Sequence, residues 1–267
     1  MSRPSTELPV KAYHDASVFE PANLLREARR QKHLPELPVP RVCLLDPDGD
    51  MVKFLATSGE GRRHPGWACY HTDMWVAETA GMQLGVVGCA VGASFAVLVA
   101  EQLIASGAEL VISITSAGQL QPLARPPYYV LIETALRDEG TSLHYQPPAT
   151  WSPMPKHLRS TLVAGLGNGE EPVIAARSWT TDAPYRETTA AIAAATELGA
   201  ACVEMEAAAL YAFAQSKGCD VVCLAHITNT MATSGDDFEK GEANGVHISL
   251  ALAVQVAILV LAASSTG

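Results

Sequence analysis

The sequence predicts an α/β domain, with a central β-sheet and helices on both of its faces. Short apolar runs of strand length recur along the chain, and residues 109–115 (ELVISIT) and 220–227 (DVVCLAHI) are the clearest. Helical segments lie between such runs, for example residues 93–106 and 207–217, and a glycine follows each of them. Strands that alternate with helices are typical of this fold class.

The chain is apolar enough to bury a large core. Hydrophobic residues make up 48% and charged residues 17% of its 267 residues, which is far from the composition of a disordered protein. This length suits one large α/β domain better than two small ones.

Two N-terminal segments precede the first predicted strand. Residues 21–32 predict a short amphipathic helix with Ser17 as its candidate cap, and the Pro-rich residues 34–40 predict a connector. We therefore divide the chain into an N-terminal helix and connector, residues 1–40, and an α/β domain, residues 41–267.

The predicted elements of the domain continue to the C-terminus. Further strands are predicted at residues 41–45, 74–79, 83–89, 128–134, 173–176 and 201–203, and a further helix at residues 188–198. Residues 245–263 are almost wholly apolar and nearly long enough to span a bilayer. Because they include His247 and Gln255 and have no basic flank, we predict a buried helix that closes the core.

Charge and cysteine content exclude several classes of function. The formal net charge of -10 disfavours binding to DNA or RNA, whose phosphates it would repel. The six cysteines show no metal-type spacing, which predicts reduced thiols and a cytoplasmic protein. The first ten residues carry no apolar segment typical of a secretory signal, and we expect no membrane partner.

Small residues follow the predicted strand at residues 109–115. Ser116, Ala117 and Gly118 would let a ligand approach the backbone closely, although a tight turn explains them equally well. In an open α/β sheet, ligands bind beyond the carboxyl ends of the strands, and this segment lies at such an end.

Two carboxylates follow the short strand at residues 201–203. Glu204 and Glu206 flank Met205, and burying both acids is costly unless they have partners. A sugar diol is a natural partner for one carboxylate, and methionine offers an apolar wall. The alternative is a pair of ordinary acids in the first turn of a helix.

A third polar segment, residues 226–230 (HITNT), ends the predicted strand at residues 220–227. Its side chains point into the same crevice if these strands lie side by side in the sheet. The alternative interpretation is a capped turn.

Together these segments resemble the nucleoside phosphorylase and nucleosidase superfamily. The resemblance runs from about Arg41 to the C-terminus and depends on the order and spacing of residues 85–120, of RDEGTSLHY at residues 137–145 and of residues 202–230. It implies a single domain with a mixed central β-sheet, flanked by helices on both faces.

The resemblance also implies roles in the binding of a nucleoside. Glu206 would hold the ribose hydroxyls, Met205 would pack on the sugar, and Glu204 would be a secondary contact to sugar or base. Asn229 would face the base, where purine-specific members usually carry an Asp that protonates the leaving purine. Since Asn cannot donate a proton in that sense, a purine mechanism that depends on it is in doubt.

Other positions are implied less directly. His144 and Tyr145 would line the pocket, and Trp179 or Tyr185 would cover the base, unless these aromatic residues simply lie on the surface. The family often takes a histidine from a neighbouring subunit, for which His14 is the candidate. The family is oligomeric, so we expect a homo-oligomer, as a dimer, trimer or hexamer.

The sequence departs from the phosphorolytic members where phosphate would bind. The first strand ends in Asp46-Pro47-Asp48-Gly49-Asp50, with carboxylates where an arginine is usual, and Ser113 replaces a second arginine. Only a loose glycine-rich turn remains, at residues 88–94. Asp50, or with less support Asp48, would instead activate a water as general base. Arg62 or Arg63, on a glycine-rich loop at residues 58–66, is the remaining candidate for a phosphate ligand.

These observations predict an enzyme that cleaves the N-glycosidic bond of a nucleoside, with a slight preference for water as nucleophile. One alternative is a phosphate-dependent purine or uridine phosphorylase, and another is a nucleoside-binding protein without catalysis. We expect no cofactor or metal, with phosphate as co-substrate only in a phosphorylase. The sequence leaves the base open.

Overall fold

A computed structural model describes residues 11–167, 173–231 and 237–264. The strands are β1 Val42–Asp46, β2 Gly61–Arg63, β3 Met74–Thr79, β4 Met82–Gly88, β5 Leu110–Gln119, β6 Tyr128–Asp138, β7 Trp151–Pro153, β8 Val173–Thr181, β9 Cys202–Glu204 and β10 Asp220–Asn229. The helices are α1 Pro21–Lys32, α2 Asp50–Ser58, α3 Ala93–Ala105, α4 Lys156–Gly167, α5 Thr189–Glu197, α6 Ala207–Lys217 and α7 Val246–Ser264.

The strands form one mixed sheet that closes on itself at one end. Their order is β10-β6-β8-β9-β5-β1-β4-β3-β2, and β10 also pairs with β5, so five strands form a ring. β1 is parallel to β4 and β5, and β10 is parallel to β5. β3, β6 and β9 supply antiparallel pairings. The predicted fold class, a mixed sheet with flanking helices, is therefore confirmed.

The helices pack in two groups around this sheet. α3 contacts α1 and α6, while α7 contacts α2 and α4. α6 is buried along most of its length, from Ala207 to Ala214. This burial explains its many alanines, because only small side chains let the helix approach the sheet so closely.

A buried tyrosine fixes α6 to the ring of strands. The hydroxyl of Tyr211 donates to the carbonyl of Ile132 in β6 at 2.5 Å and accepts from the amide of Cys223 in β10 at 3.1 Å. Its side chain is fully buried, so both bonds lie out of contact with water. Tyr211 thus holds the helix whose first turn follows Glu206.

Strand ends account for most differences between prediction and structure. β5, β6 and β8 each continue four or five residues past their predicted ends, so Ser116, Ala117 and Gly118 lie within a strand and not in a turn. Gly118 pairs with Val203 of β9, a partner far away in the sequence. Such pairing stabilises an extended conformation that local residue preferences do not reveal.

The bounds of two helices agree with the predictions, whereas four other elements were not predicted. α1 and α6 have the predicted bounds, but Glu20 and not Ser17 is the N-cap of α1, and it makes no side-chain cap bond. α2, α4, β2 and β7 were not predicted. The loop expected at residues 58–66 contains β2, which pairs with β3 at the edge of the sheet.

The C-terminal helix belongs to the core. The stretch Glu242–Ala262 is long and apolar enough to span a bilayer, and an 18-residue window within it has a mean hydropathy of 2.2. However, 56% of that window is buried inside the protein, the buried side chains of α7 include Leu252, Ala253 and Val256, and α7 packs on α4. A buried helix that closes the core is the interpretation these contacts favour.

Replacing Tyr211 with Phe should destabilise the protein by about 1–3 kcal/mol, because the buried amide of Cys223 and the carbonyl of Ile132 then lose their partner. Urea denaturation measures this free energy of unfolding. Tyr185→Phe is the matched control, since the Tyr185 side chain is fully exposed. Equal stability of both variants would contradict the assigned role of Tyr211.

Candidate active site

The candidate site lies where parallel strands end. The carboxyl ends of β1, β4, β5 and β10 lie at one edge of the sheet, because β1 pairs in parallel with β4 and β5, and β10 with β5. The turns that follow β1 and β4, and the junction between β9 and α6, meet at this edge. The topology of α/β sheets favours ligand binding at such a place.

Glu206 is buried at this edge with half of its carboxyl group unused. Its Oε1 accepts from the backbone amide of Gly92 at 2.8 Å, in the turn between β4 and α3. Its Oε2 is buried and has no hydrogen-bond partner among the described residues. Burial, with a further contribution from the charge of Glu204, raises the pKa of Glu206 to about 8. The free oxygen is therefore a strong candidate for contact with a ligand.

Glu204 is the structural member of the pair. Its Oε1 accepts from the hydroxyls of Ser178 and Thr180 at 2.9 and 2.5 Å. Its Oε2 accepts from the amides of Glu206 and Ala207, both at 2.7 Å. The expected role as a secondary sugar or base contact does not fit this geometry, because four internal donors occupy both oxygens. Glu204 instead holds the backbone from which Glu206 projects.

Met205 and Gly92 form an apolar wall beside Glu206. The Met205 side chain is partly exposed, and its Cε lies 4.0 Å from the point where a Cβ on Gly92 would be. Gly92 has a φ of 86°, a conformation that glycine adopts without strain. Met205 therefore lies against the same turn whose Gly92 amide bonds to Glu206.

The turn after β1 meets β5 through Asp48. Asp48 Oδ2 accepts from the backbone amide of Ser116 at 3.1 Å and makes a short hydrogen bond with the Ser116 hydroxyl. It also accepts from the Lys240 ammonium at 3.2 Å. Its Oδ1 makes no hydrogen bond within the described parts of the chain, so it is available to a water.

Asp50, the residue we first expected as general base, is bonded on both oxygens. Its Oδ2 accepts from Lys240 at 2.6 Å and its Oδ1 from the Asn244 amide at 3.1 Å. Burial lowers the pKa of Lys240, but its hydrogen bonds to Asp50 and Asp48 and the negative charges of these residues have a larger effect. The pKa of Lys240 is therefore raised. Asp48, the second candidate from the sequence, is therefore better placed to accept a proton from water.

Two further groups line the cavity beneath this turn. Asp46 is buried, and burial together with the charges of Asp48 and Asp50 raises its pKa to about 7. His226 stacks on the ring of Tyr129 at 4.4 Å, and burial with the nearby Lys240 charge lowers its pKa to about 4. The cavity of about 20 Å³ that these residues line has the size of a single water.

Asn229 lies at the end of β10 with a defined orientation. Its Oδ1 accepts from the backbone amide of Met231 at 2.9 Å, and its Nδ2 donates to the Thr228 hydroxyl at 3.2 Å. The backbone amide of Met231 can only donate, so the Asn229 atom that it contacts must be the oxygen Oδ1. A Cβ on Gly118 would lie 3.3 Å from this oxygen and 2.8 Å from the Met231 sulfur, so a larger residue would require the Met231 side chain to move.

The structure does not bring His144 and Tyr145 to this crevice. His144 is exposed and contacts Lys11, while the Tyr145 hydroxyl bonds to Glu101 at 2.5 Å. Both line a separate surface cavity of about 550 Å³, between α3 and the N-terminal segment. The expectation that they line the pocket therefore does not fit the geometry of this chain, because the short helix Ser142–His144 turns them toward α3.

The two aromatic candidates for covering the base also differ from expectation. Trp179 is buried in β8, donates to Asp138 at 3.0 Å and packs in a cluster with Val203 and Met231. The Tyr185 side chain is fully exposed. Neither covers the crevice in a single chain.

Arg62 and Arg63 do not supply a phosphate site. Arg63 pairs with Asp73, and Arg62 lines a separate groove with Pro38 and Gln83. Both lie on β2, which β3 and β4 separate from β1. Ser113 is buried in β5. His14 is exposed on the N-terminal segment.

The cation at the site, which sequence reasoning missed, is Lys240. It lies 190 residues beyond Asp50, in a segment without a clear secondary-structure pattern. One signal was present, because Lys240 is the only lysine or arginine that follows Lys217.

Comparisons with known proteins concern the family and the fold of the chain. A family model described as the Phosphorylase superfamily matches residues 41–263. A solved uridine phosphorylase from Vibrio fischeri ES114 has 19% sequence identity and a TM-score of 0.68, over 84% of this chain and 94% of that chain. The same protein complexed with 6-hydroxy-1-naphthoic acid gives the same identity and TM-score and is covered over 92% of its length. No curated protein matches the chain in sequence.

The two buried glutamates should respond oppositely to removal of their charge. The raised pKa of Glu206 means that its ionisation costs stability as pH rises from its ordinary value of 4.5 through about 8. Glu206→Gln should therefore stabilise the ligand-free protein at pH 8.5, by about 1 kcal/mol or more. Glu204→Gln should destabilise it by about 1–3 kcal/mol, since the amide nitrogen of Gln cannot accept and would meet two of the four donors that now bond to the Glu204 oxygens.

Thermal denaturation at pH 8.5 separates these outcomes, because 1 kcal/mol shifts the Tm of a chain of this size by about 2–4 °C. A repeat at pH 5 serves as the control, at which the Glu206→Gln gain should shrink. A drop in Tm for Glu206→Gln as large as that for Glu204→Gln would contradict the assignment.

Proposed function

The chain belongs to the phosphorylase superfamily, and on that premise we propose that it cleaves the N-glycosidic bond of a nucleoside with water as the nucleophile. The observation that carries the proposal is the buried, unpartnered Oε2 of Glu206 beside Met205. A buried polar atom without a partner costs free energy, and such atoms are retained where a ligand supplies the missing bond.

A ribose diol supplies what this site lacks. Vicinal hydroxyls donate to both oxygens of one carboxylate, so the sugar would satisfy Oε2 and share Oε1 with the Gly92 amide. Met205 would pack against the apolar face of the ring. Glu204 fixes this arrangement through its bonds to the amides of Glu206 and Ala207.

The base would lie toward Gly118 and Asn229. The remaining N–H of Asn229 Nδ2 would donate to an acceptor on the base, because its oxygen is held by the Met231 amide. This bond stabilises a base that leaves with the electron pair of the glycosidic bond but does not protonate it. The proposal therefore favours bases that are stable as anions.

The nucleophile would be a water held by Asp48 Oδ1. Water attacks the anomeric carbon as the bond to the base breaks, through a transition state with oxocarbenium character. The proton of the water passes to the Asp48 carboxylate, and the base departs with the bonding electrons. Lys240, which bonds to both Asp48 and Asp50, keeps the turn in place.

A phosphate-dependent reaction is the second candidate. Lys240 places a cation at the edge of the sheet where a phosphate ligand is required, and the similar solved structures are those of a uridine phosphorylase. Against it, Lys240 already neutralises part of the charge of two carboxylates. A nucleoside-binding protein without catalysis is the third candidate.

The proposal also includes a cellular compartment and an oligomeric state. The six free thiols suit a reducing compartment, so we place the protein in the cytoplasm. Because neither Trp179 nor Tyr185 covers the crevice in the described parts of the chain, a neighbouring subunit of a homo-oligomer would complete the site. No cofactor is needed for the step as written.

The first test is a panel of purine and pyrimidine nucleosides incubated with the protein, with and without inorganic phosphate, and analysed for free base. We expect base release without phosphate. Release only in the presence of phosphate would replace hydrolysis by phosphorolysis, and tight binding without release would leave a binding protein.

Glu206→Ala should abolish binding of ribonucleosides, because the diol loses its only predicted carboxylate partner. Isothermal titration with a nucleoside measures the affinity. Glu109→Ala is the control, since Glu109 is an exposed acid paired with Arg41. Unchanged affinity of the Glu206 variant would remove the ribose assignment.

Asn229→Asp should introduce a proton donor beside the base. We expect adenine release from adenosine to increase by about tenfold or more and to rise as pH falls, since only the protonated acid donates. The same substitution at Asn23, on the surface of α1, is the control. A variant with the wild-type rate and pH profile would show that residue 229 does not face the base.

A further inference from the structure

The cavity between α3 and the N-terminal segment contains a buried amide without a partner. This cavity has a volume of about 550 Å³, which is in the range of sites for small organic molecules, and Gln102 of α3 lines it. Gln102 is only 3% exposed, and its Oε1 has no hydrogen-bond partner among the described residues. Buried polar atoms without a partner are rare, and each requires an explanation such as a missing ligand or water.

The packing of α3 does not itself require a glutamine. Glu101 and Gln102 are the only polar residues at positions 95–105, and the other side chains there are apolar. An unpaired buried amide costs about 1–3 kcal/mol, whereas an apolar side chain of the same size would avoid this cost. Gln102 is therefore better explained by a ligand than by the stability of the helix.

Glu101 offers a second acceptor beside Gln102. Its Oε1 accepts from the Tyr145 hydroxyl at 2.5 Å, and its Oε2 makes no hydrogen bond within the described parts of the chain. Burial, with the hydrogen bond and the charge of Glu101, raises the pKa of Tyr145, so the tyrosine stays protonated and remains the donor. The terminal torsion of a glutamine is soft, which lets Gln102 turn its Oε1 toward a donor in the cavity. The inner part of the cavity thus lacks donors and offers two acceptors.

The rest of the cavity is apolar, with charges at its exposed rim. Leu24, Val97 and Leu98 line it, and Val97 is buried. The exposed charged groups that line it have both signs, because Asp15 is acidic and Lys217 is basic, and Lys11 donates to the exposed His144 at 2.9 Å. Water screens such exposed charges more strongly than the partly buried Glu101. The charge that matters most for a ligand is therefore the negative charge of Glu101.

We propose that this cavity binds an organic amine, whose ammonium group donates to Glu101 and Gln102 and whose hydrocarbon body packs on Leu24, Val97 and Leu98. An ammonium group has only donors and no acceptor, so it matches a carboxylate oxygen and an amide oxygen. Its positive charge balances Glu101, and partial burial strengthens this attraction. The proposal does not depend on the proposed cleavage reaction, because it concerns a cavity separate from the crevice of Glu206.

The test is isothermal titration of phenethylamine into the protein at pH 7, with phenethyl alcohol as the neutral probe of the same shape. We expect one molecule of the amine to bind per chain, at least about tenfold more tightly than the alcohol. The reason is that hydrogen bonds to a charged donor are roughly twice as strong as neutral ones.

Two substitutions in α3 test the location of the amine. Gln102→Met keeps the unbranched shape of the side chain, and Glu101→Gln keeps an acceptor for Tyr145. Each should weaken amine binding by about tenfold or more, since each removes one of the two predicted contacts. Gln83→Met and Glu109→Gln change the same residue types at exposed positions elsewhere and should bind the amine like the wild type.

A second measurement separates a ligand contact from a structural role of Gln102. Without the amine, Gln102→Met should have a Tm at least as high as the wild type, because no internal hydrogen bond is lost. A lower Tm, shared by Gln102→Leu, would show that the amide has an internal role and would overturn the proposal.

Three binding results would also overturn it. They are the absence of saturable amine binding to the wild type, equal binding of the alcohol, and unchanged amine binding in both α3 variants. None of these results bears on base release from nucleosides, so the proposed function is tested separately.

Discussion

The junction between β9 and α6 depends on one buried carboxylate. Glu204 accepts four hydrogen bonds there, two from hydroxyls on β8 and two from the amides that begin α6. Without these donors, a charge at full burial would be prohibitively costly. With them, Glu204 fixes the backbone of Glu206 and leaves the second carboxyl group buried with an unused oxygen. The same four hydrogen bonds therefore stabilise the junction and position the unused oxygen of Glu206, which is the proposed ligand contact.

This arrangement explains why the sequence identified the motif but misjudged one of its members. Two acids around a methionine indicate a binding site, and both look equivalent in the sequence. Their roles separate only because Ser178 and Thr180 reach Glu204 from β8, and both lie beyond the strand predicted at residues 173–176. β8 extends to Thr181 since it pairs with β6 and β9, and such long-range pairing is not visible in local patterns.

The fold itself was more predictable than the site. α1 follows from its amphipathic pattern and α6 from the glycine that ends it, and the order of strands and helices follows from the apolar runs. Lys240 could not be placed in the same way, because its partners Asp48 and Asp50 lie about 190 residues earlier in the chain. The candidate for the general base changed from Asp50 to Asp48 for the same reason. It depends on which carboxylate keeps an oxygen without a hydrogen bond after Lys240, Asn244 and Ser116 have bonded to them.

The proposed ribose contacts and the proposed position of the nucleophile are formed by separate parts of the chain. Glu206 and Met205 depend on β8, β9 and α6, whereas Asp48 depends on the turn after β1, on β5 and on Lys240. The two sets meet only at the edge of the sheet where β1, β5 and β10 end. Under the proposed function, a substitution in the turn after β1 should therefore leave the ribose contacts of Glu206 undisturbed. The choice of nucleophile would then depend on that turn and its partners, and not on the residues that bind the sugar.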